Sequence, residues 1–198
     1  VRDAFADLLF PGTSTIQTVA KYFLFVPWVY QSLESKRTSS SKIGLRARKL
    51  EIDLAQQLEV SGETEGVIGR IAKEKLQRLP SNVYWQGLAQ WGIRTFPGSQ
   101  EEYHRALDMF YARQKSRESS HDGHAGETFE EAELHNWHTG LPQPDEDFPK
   151  GATLALSFAE ADYLRERLLT TPACSQSLMA YLVREQVEVD VVPYVWEL

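Results

Sequence analysis

The chain is nearly devoid of cysteine. Cys174 is the only one in 198 residues, which excludes an internal disulfide framework or a cysteine-built metal cluster and makes a reducing cytoplasm the expected setting. Long apolar runs are also missing. The longest, Tyr22 to Tyr30, covers nine residues and contains Pro27, whereas a membrane helix needs about 20. It is read as core, and neither a membrane partner nor a signal peptide is expected. Phosphate-cradling signatures are absent as well: there is no Gly-x-x-x-x-Gly-Lys-Ser/Thr loop and no Gly-x-Gly-x-x-Gly behind a strand. Gly66-Val67-Ile68-Gly69 is too short to substitute, and no nucleophile elbow occurs. Cys174 follows Pro172 at a helix boundary with no histidine nearby in sequence, so its thiol is read as structural. No cofactor is expected.

What is present can build a sizeable core. Hydrophobic residues make up 42% and aromatics 11% of the chain, enough for one large or two small domains. The net charge of -7 is unevenly spread. Residues 1–98 carry 13 Lys/Arg against 9 Asp/Glu, while residues 99–198 carry 8 against 19. Such asymmetry points to a nucleic-acid or partner surface on the basic half, or to two halves that attract each other. Asp3 to Leu9 already reads as a helix under way and Val191 to Leu198 stops within a pattern, so the sequence is read as a piece of a longer protein.

Helical signals dominate, and the expected fold is mainly α: a multi-helical bundle with a helix-turn-helix, winged-helix-like element and at most a short β element near the C-terminus. Ser14 and Gln17 have capping-box spacing, which predicts a helix from Ser14 along Ile16, Val19, Ala20, Phe23 and Leu24, kinked or ended by Pro27. Ser41 is a candidate cap for a second helix with Ile43, Ala47, Leu50, Leu54 and Leu58 on one face, stopping at Ser61-Gly62. Short helices are expected over Val67–Leu76 and Asn82–Trp91, the latter ending at Gly92. Ser99 with Glu102 and Ser157 with Glu160 are further capping boxes. Residues 1–116 are read as a helical domain and 117–152 as an acidic flexible insert, with one helical turn near Phe129–Leu134. Residues 153–198 are read as a C-terminal helical segment. Leu178 opens its last helix, and alternating Val187, Val189 and Val191 suggest a short strand.

The clearest candidate chemistry lies around Pro80. Two short helices joined by a turn would form a helix-turn-helix, with Tyr84, Leu88 and Trp91 facing inward. Asn82, Gln86 and Gln90 then recur at i, i+4 and i+8 on the outer face of the second helix. Amides donate and accept together, which suits an adenine edge in the major groove; a solvated polar face is the plain alternative. Arg70, Lys73, Lys75, Arg78 and Arg94 flank the pair as candidate phosphate contacts. A second basic run holds Lys36, Arg37, Lys42, Arg46, Arg48 and Lys49, and Lys42, Arg46 and Lys49 share one side of a helix. His121, His124, His135 and His138 lie in the insert beside Asp122, Glu131 and Glu133. Neither His-x-x-His pair has the His-Glu-x-x-His spacing, so a polar loop is the reading there and no metal site is assigned.

Several segments together carry a resemblance: Arg2-Asp3, Leu9 to Tyr30, Leu79-Pro80-Ser81 with Tyr84-Trp85-x-Gly87-Leu88 and Trp91-Gly92-Ile93, Phe96-Pro97-Gly98-Ser99, Tyr103, Asn136-Trp137-His138 and Phe148-Pro149. Over most of its length the chain resembles an uncharacterised bacterial family, a domain of unknown function whose members are associated with restriction and anti-phage defence gene neighbourhoods. The resemblance implies a bacterial cytoplasmic protein within such a system and assigns no catalytic residue. The expected function is a non-catalytic, DNA-associated accessory component with double-stranded DNA and other defence-system proteins as partners. Two alternatives stand beside it: an interaction scaffold using the aromatic block around Trp28 and Trp85, and a hydrolase or nuclease whose site is completed outside these residues.

Overall fold

The aromatic block sits at the centre of the molecule. A computed structural model describes residues 2–120 and 135–186. Among them are seven helices: α1 (Arg2–Leu9), α2 (Tyr22–Ser35), α3 (Ser40–Val60), α4 (Pro80–Gln90), α5 (Gln100–Ser120), α6 (Phe158–Thr170) and α7 (Leu178–Glu185). A single 3₁₀ turn covers Lys73–Lys75. The fold is mainly helical. Its only β-type pairing among the described residues is an isolated bridge between Arg94 and Trp137. The strand expected at Val187 to Val191 lies outside those residues.

Helix α2 packs against α3 and α4, α3 packs against α5, and α6 packs against α7. Every residue from Tyr22 to Tyr30 is buried, as nine consecutive bulky side chains require when no single helical stripe can take them all. Pro27 lies inside α2 and does not end it. Burial of the residues on both sides of it outweighs the hydrogen bond that a proline removes. Aromatic rings tie the block to its neighbours. Phe23 stacks on Trp91 with centroids 4.0 Å apart, and Tyr30 meets both Trp85 and Tyr103 edge-on.

Three sequence expectations are corrected. No helix starts at Ser14, because Gln17 turns inward and donates to the carbonyls of Gly12 and Val83. The Tyr84 hydroxyl then accepts from the backbone N–H groups of Thr18 and Val19, and α2 begins only at Tyr22. Residues 67–76 do not form the first helix of a helix-turn-helix. Gly66 and Gly69 both adopt left-handed backbone, which L side chains avoid. The loop is pinned by Ile68 N–H on the Tyr22 hydroxyl and by the Thr18 hydroxyl on Gly66 O. Finally, the insert expected over 117–152 begins later, since α5 runs to Ser120, and residues 135–152 are irregular and partly exposed yet anchored to the core. Trp137 and Leu141 are buried, and Phe148 packs on the core against Phe25 and Trp28. Residues 121–134, with His121, His124 and the turn expected near Phe129–Leu134, lie outside the described residues.

The cap expected at Ser41 is displaced: Ser39 precedes α3, and Ser41 lies within its first turn. The capping boxes further on follow their spacing. Ser99 and Glu102 exchange side-chain-to-backbone hydrogen bonds at the start of α5, and Ser157 and Glu160 do the same at α6. A Lys21–Glu160 pair at 2.5 Å, with Lys21 buried and Glu160 partly so, joins the start of α2 to α6. Among the described residues, no helix is long and apolar enough to cross a membrane.

Candidate functional site

Two features of the surface carry chemistry: a basic face on α3 and the segment beside it, and a polar network that opens into a cleft. Two basic runs that are separate in sequence meet on the same helix. Lys42, Arg46 and Lys49 are exposed on α3, on the side away from the buried Ile43, Ala47 and Leu54. Residues 69–76 pack along the same helix, where Gly69, Arg70, Lys73 and Leu76 meet Ile52, Ala55 and Glu59. An Arg48 Nη1 donates to Leu76 O at 2.9 Å and clamps the junction. Arg70, Lys73, Lys75 and Arg78 are all exposed. Lys73 reaches Glu59 only at 3.9 Å, a surface pair that holds little energy.

The amide stripe is not one continuous face. Asn82 is exposed, but its Oδ1 accepts from Leu79 N–H at 3.0 Å and its Nδ2 donates to Gln100 at 2.7 Å. Gln86 is exposed. Gln90 is half-buried at the far end of α4, where its backbone carbonyl accepts from the Cys174 thiol and Trp91 O accepts from the Thr171 hydroxyl. The α6–α7 connection, from the acidic half of the chain, therefore covers that end of the helix. A helix so covered cannot lay all three amides against bases. Arg94 is also no phosphate contact: it is 5% exposed. Its guanidinium donates to the carbonyls of Trp85, Phe96 and Gly98 and lies 4.8 Å over the Trp85 ring. Burial lowers its pKa, and its role is to lock the Phe96–Gly98 turn.

Of the insert histidines in the described residues, His135 is exposed and His138 stands by Tyr163 at 3.3 Å. Among those residues, no group of three or more His, Cys, Asp or Glu side chains comes together as a metal would need. The Cys174 thiol is buried, and burial raises its pKa, which disfavours the reactive thiolate.

A polar network that the sequence reading does not anticipate starts at Glu51. Its carboxyl is fully buried and receives both the Ser81 N–H at 2.7 Å and the Ser81 hydroxyl at 2.8 Å. The carboxylate thus caps the first turn of α4 from α3. Burial pushes its pKa up to about 7, against the lowering effects of Ser81 and Arg48. Gln100 Nε2 donates to Ser81 Oγ at 2.9 Å and to the Tyr30 hydroxyl at 2.6 Å. Tyr30 in turn lies 3.1 Å from His104 Nε2. One clue is present in the sequence: Glu51 occupies the apolar stripe of α3, four residues after Ala47 and three before Leu54.

A second carboxylate, Glu34 on α2, binds the irregular segment. One of its oxygens accepts from the Tyr103 hydroxyl, Asn136 Nδ2 and Trp137 Nε1, the last two at 3.0 Å. Burial still raises its pKa despite these three donors. Its work is structural: it draws 136–137 onto α2 and α5.

The sequence segments with the strongest local character — the aromatic block, the Pro80 turn, the Phe96-Pro97-Gly98 turn and the Asn136-Trp137 pair — all meet in this core. A family model covering residues 1–196, described as "Family of unknown function (DUF6361)", matches the chain. The chain belongs to that family. No curated protein and no solved structure matches it. Membership agrees with the expected uncharacterised domain and assigns no reaction to its residues.

Proposed function

We propose that this member of the family is a non-catalytic, DNA-associated accessory component of a bacterial defence or DNA-modification system, acting in the cytoplasm with other defence proteins. In this reading it meets duplex DNA through phosphates, not through a recognition helix. The observation that supports it most is the docking of residues 69–76 onto α3. It holds the segment that carries Arg70, Lys73, Lys75 and Arg78 against the same helix that carries Lys42, Arg46 and Lys49, although the chain as a whole is acidic. Local positive charge on an acidic protein orients it toward a polyanion. The scaffold alternative is left without its expected surface, since Trp28 and Trp85 are both buried.

The test is the salt dependence of binding to duplex DNA, read by fluorescence anisotropy. Removing one phosphate-binding cation should reduce the slope of log K against log salt by about 0.9. Replacing Lys42, Arg46 and Lys49 together with alanine is therefore expected to weaken binding to every sequence alike and to flatten that slope by about 2–3. Arg94→Ala should instead destabilise the fold, with any binding change following from unfolding. Equal duplex affinity in the triple variant and the parent would overturn the reading.

A further inference from the structure

The hydrogen-bond network fixes the orientation of every amide in it, and so dictates what the neighbouring cleft displays. Leu79 N–H can only donate. Asn82 Oδ1 accepts it, so Asn82 Nδ2 must face Gln100 Oε1. Gln100 Nε2 is then the group that donates to Ser81 and to the Tyr30 hydroxyl. Tyr30 accepts from Gln100 and lies 3.1 Å from His104 Nε2, to which its own proton can go. With that donation His104 is the neutral tautomer carrying its proton on Nδ1, and burial, which lowers its pKa, favours the neutral ring.

A cleft of about 250 Å³ opens at this point between α3, the start of α4 and the start of α5. Gly44, Ala47 and Leu79 give it a small apolar floor. Its polar wall presents fixed, uncharged groups: the second amide proton of Asn82, the remaining lone pair of Gln100 Oε1 and the His104 Nδ1–H. Nδ1 looks toward Gly44, where a Cβ would come within 3.6 Å of it. At the rim stands the Glu101 carboxylate, which repels anions and accepts from amines.

We propose that this cleft binds a nucleobase. A flat heterocycle offers ring-nitrogen and carbonyl acceptors to Asn82 and His104 and an exocyclic amine to Glu101, while its faces lie against Gly44, Ala47 and Leu79. Mixed donors and acceptors on a small apolar floor are what base recognition uses. A phosphate or carboxylate would meet no cation among these lining residues and would face Glu101. Free nucleosides and a base extruded from DNA share this chemistry. The inference does not depend on the basic face, because the cleft residues are different ones.

Gly44→Leu supplies the test. Position 44 is exposed on a helix, so the leucine should fill the cleft without lowering thermal stability. Adenosine, guanosine, cytidine and thymidine are titrated while the ring nitrogens of His104 are followed by NMR; in parallel, a duplex with one 2-aminopurine is followed by fluorescence. Shifts at His104 with a nucleoside, weakened at least ~10-fold by Gly44→Leu, identify a free base as the ligand. Brightening of the duplex that Gly44→Leu abolishes identifies an extruded base. No response in either arm, a response that survives Gly44→Leu, or saturable binding of inorganic phosphate at His104 overturns the proposal. Loss of duplex affinity in the Lys42, Arg46 and Lys49 variant leaves the nucleoside arm unchanged, which separates the two ideas.

Discussion

Glu51→Ala is expected to destabilise the protein by roughly 3–5 kcal/mol, because it strands the buried Ser81 N–H and hydroxyl and opens a void beneath α4. At this chain length the melting temperature should fall by about 2–4 °C for each kcal/mol. Glu51→Gln should behave differently. Its carbonyl oxygen still accepts the Ser81 N–H, its amide can donate to Ser81 Oγ, and no charge is buried. The two variants therefore separate loss of shape from loss of charge.

The carboxyl also makes stability depend on pH, with a sign opposite to that of an ordinary ion-paired acid. Its folded-state pKa is raised from 4.5 to about 7, so the folded state holds the proton more tightly than the unfolded chain. Its contribution is fully present below about pH 4.5, is lost as pH rises through about 7, and stays lost above that. A shift of this size, about 2.5 pH units at 1.36 kcal/mol each, corresponds to at most about 3–4 kcal/mol. His104 and His138, both lowered by burial, work in the other direction and lose stability as pH falls. The readout is accordingly the difference between parent and Glu51→Gln in urea unfolding at pH 5 and pH 8. Parent should lose ground to the variant at pH 8, and a difference that is flat with pH would show that Glu51 titrates normally.

How far the sequence can be read depends on whether each segment answers to its own neighbours. Helices α3, α5 and α6 are legible because their periodic apolar faces and caps lie within a few residues of each other, as at Ser99–Glu102 and Ser157–Glu160. The burial of Tyr22 to Tyr30 follows from apolar density alone. Ser14–Ala20 and Val67–Leu76 depart from their helical pattern because distant groups capture their backbone: the Tyr84 hydroxyl takes Thr18 and Val19, and Tyr22 takes Ile68. Asn136 and Trp137 resemble loop because polar and Pro/Gly neighbours hide two residues that Glu34 holds from over 100 positions away. The basic residues are legible by type, but nothing local tells that residues 69–76 dock on the helix that carries the other run. Nothing local marks Tyr30, Ser81, Gln100 and His104 as one network, since Tyr30 and His104 stand 74 positions apart.

Gly87→Ala is expected to lower stability by roughly 3 kcal/mol or more, at or beyond the upper end of typical overpacking, whereas Gly44→Ala should raise it by about 1 kcal/mol. Both glycines lie within helices, and an isolated helix would gain from either change. What differs is the space. A Cβ on Gly87 would lie 2.3 Å from the backbone oxygen of Gly12 and 3.1 Å from the Phe23 ring. Gly12 itself is left-handed, with its own Cβ position 2.9 Å from Trp91. The Phe10–Thr13 turn is pressed directly onto α4 and is held there by Trp91 Nε1 on Pro11 O at 2.9 Å and by Gln17 on Gly12 O at 3.0 Å. Relief of the clash requires backbone to move, which would break those bonds and part Phe23 from Trp91. At Gly44 the nearest atom is His104 Nδ1 at 3.6 Å, an ordinary contact. Thermal unfolding of the two variants side by side checks this, and a Gly87→Ala protein as stable as the parent would show that the turn does not rest on α4.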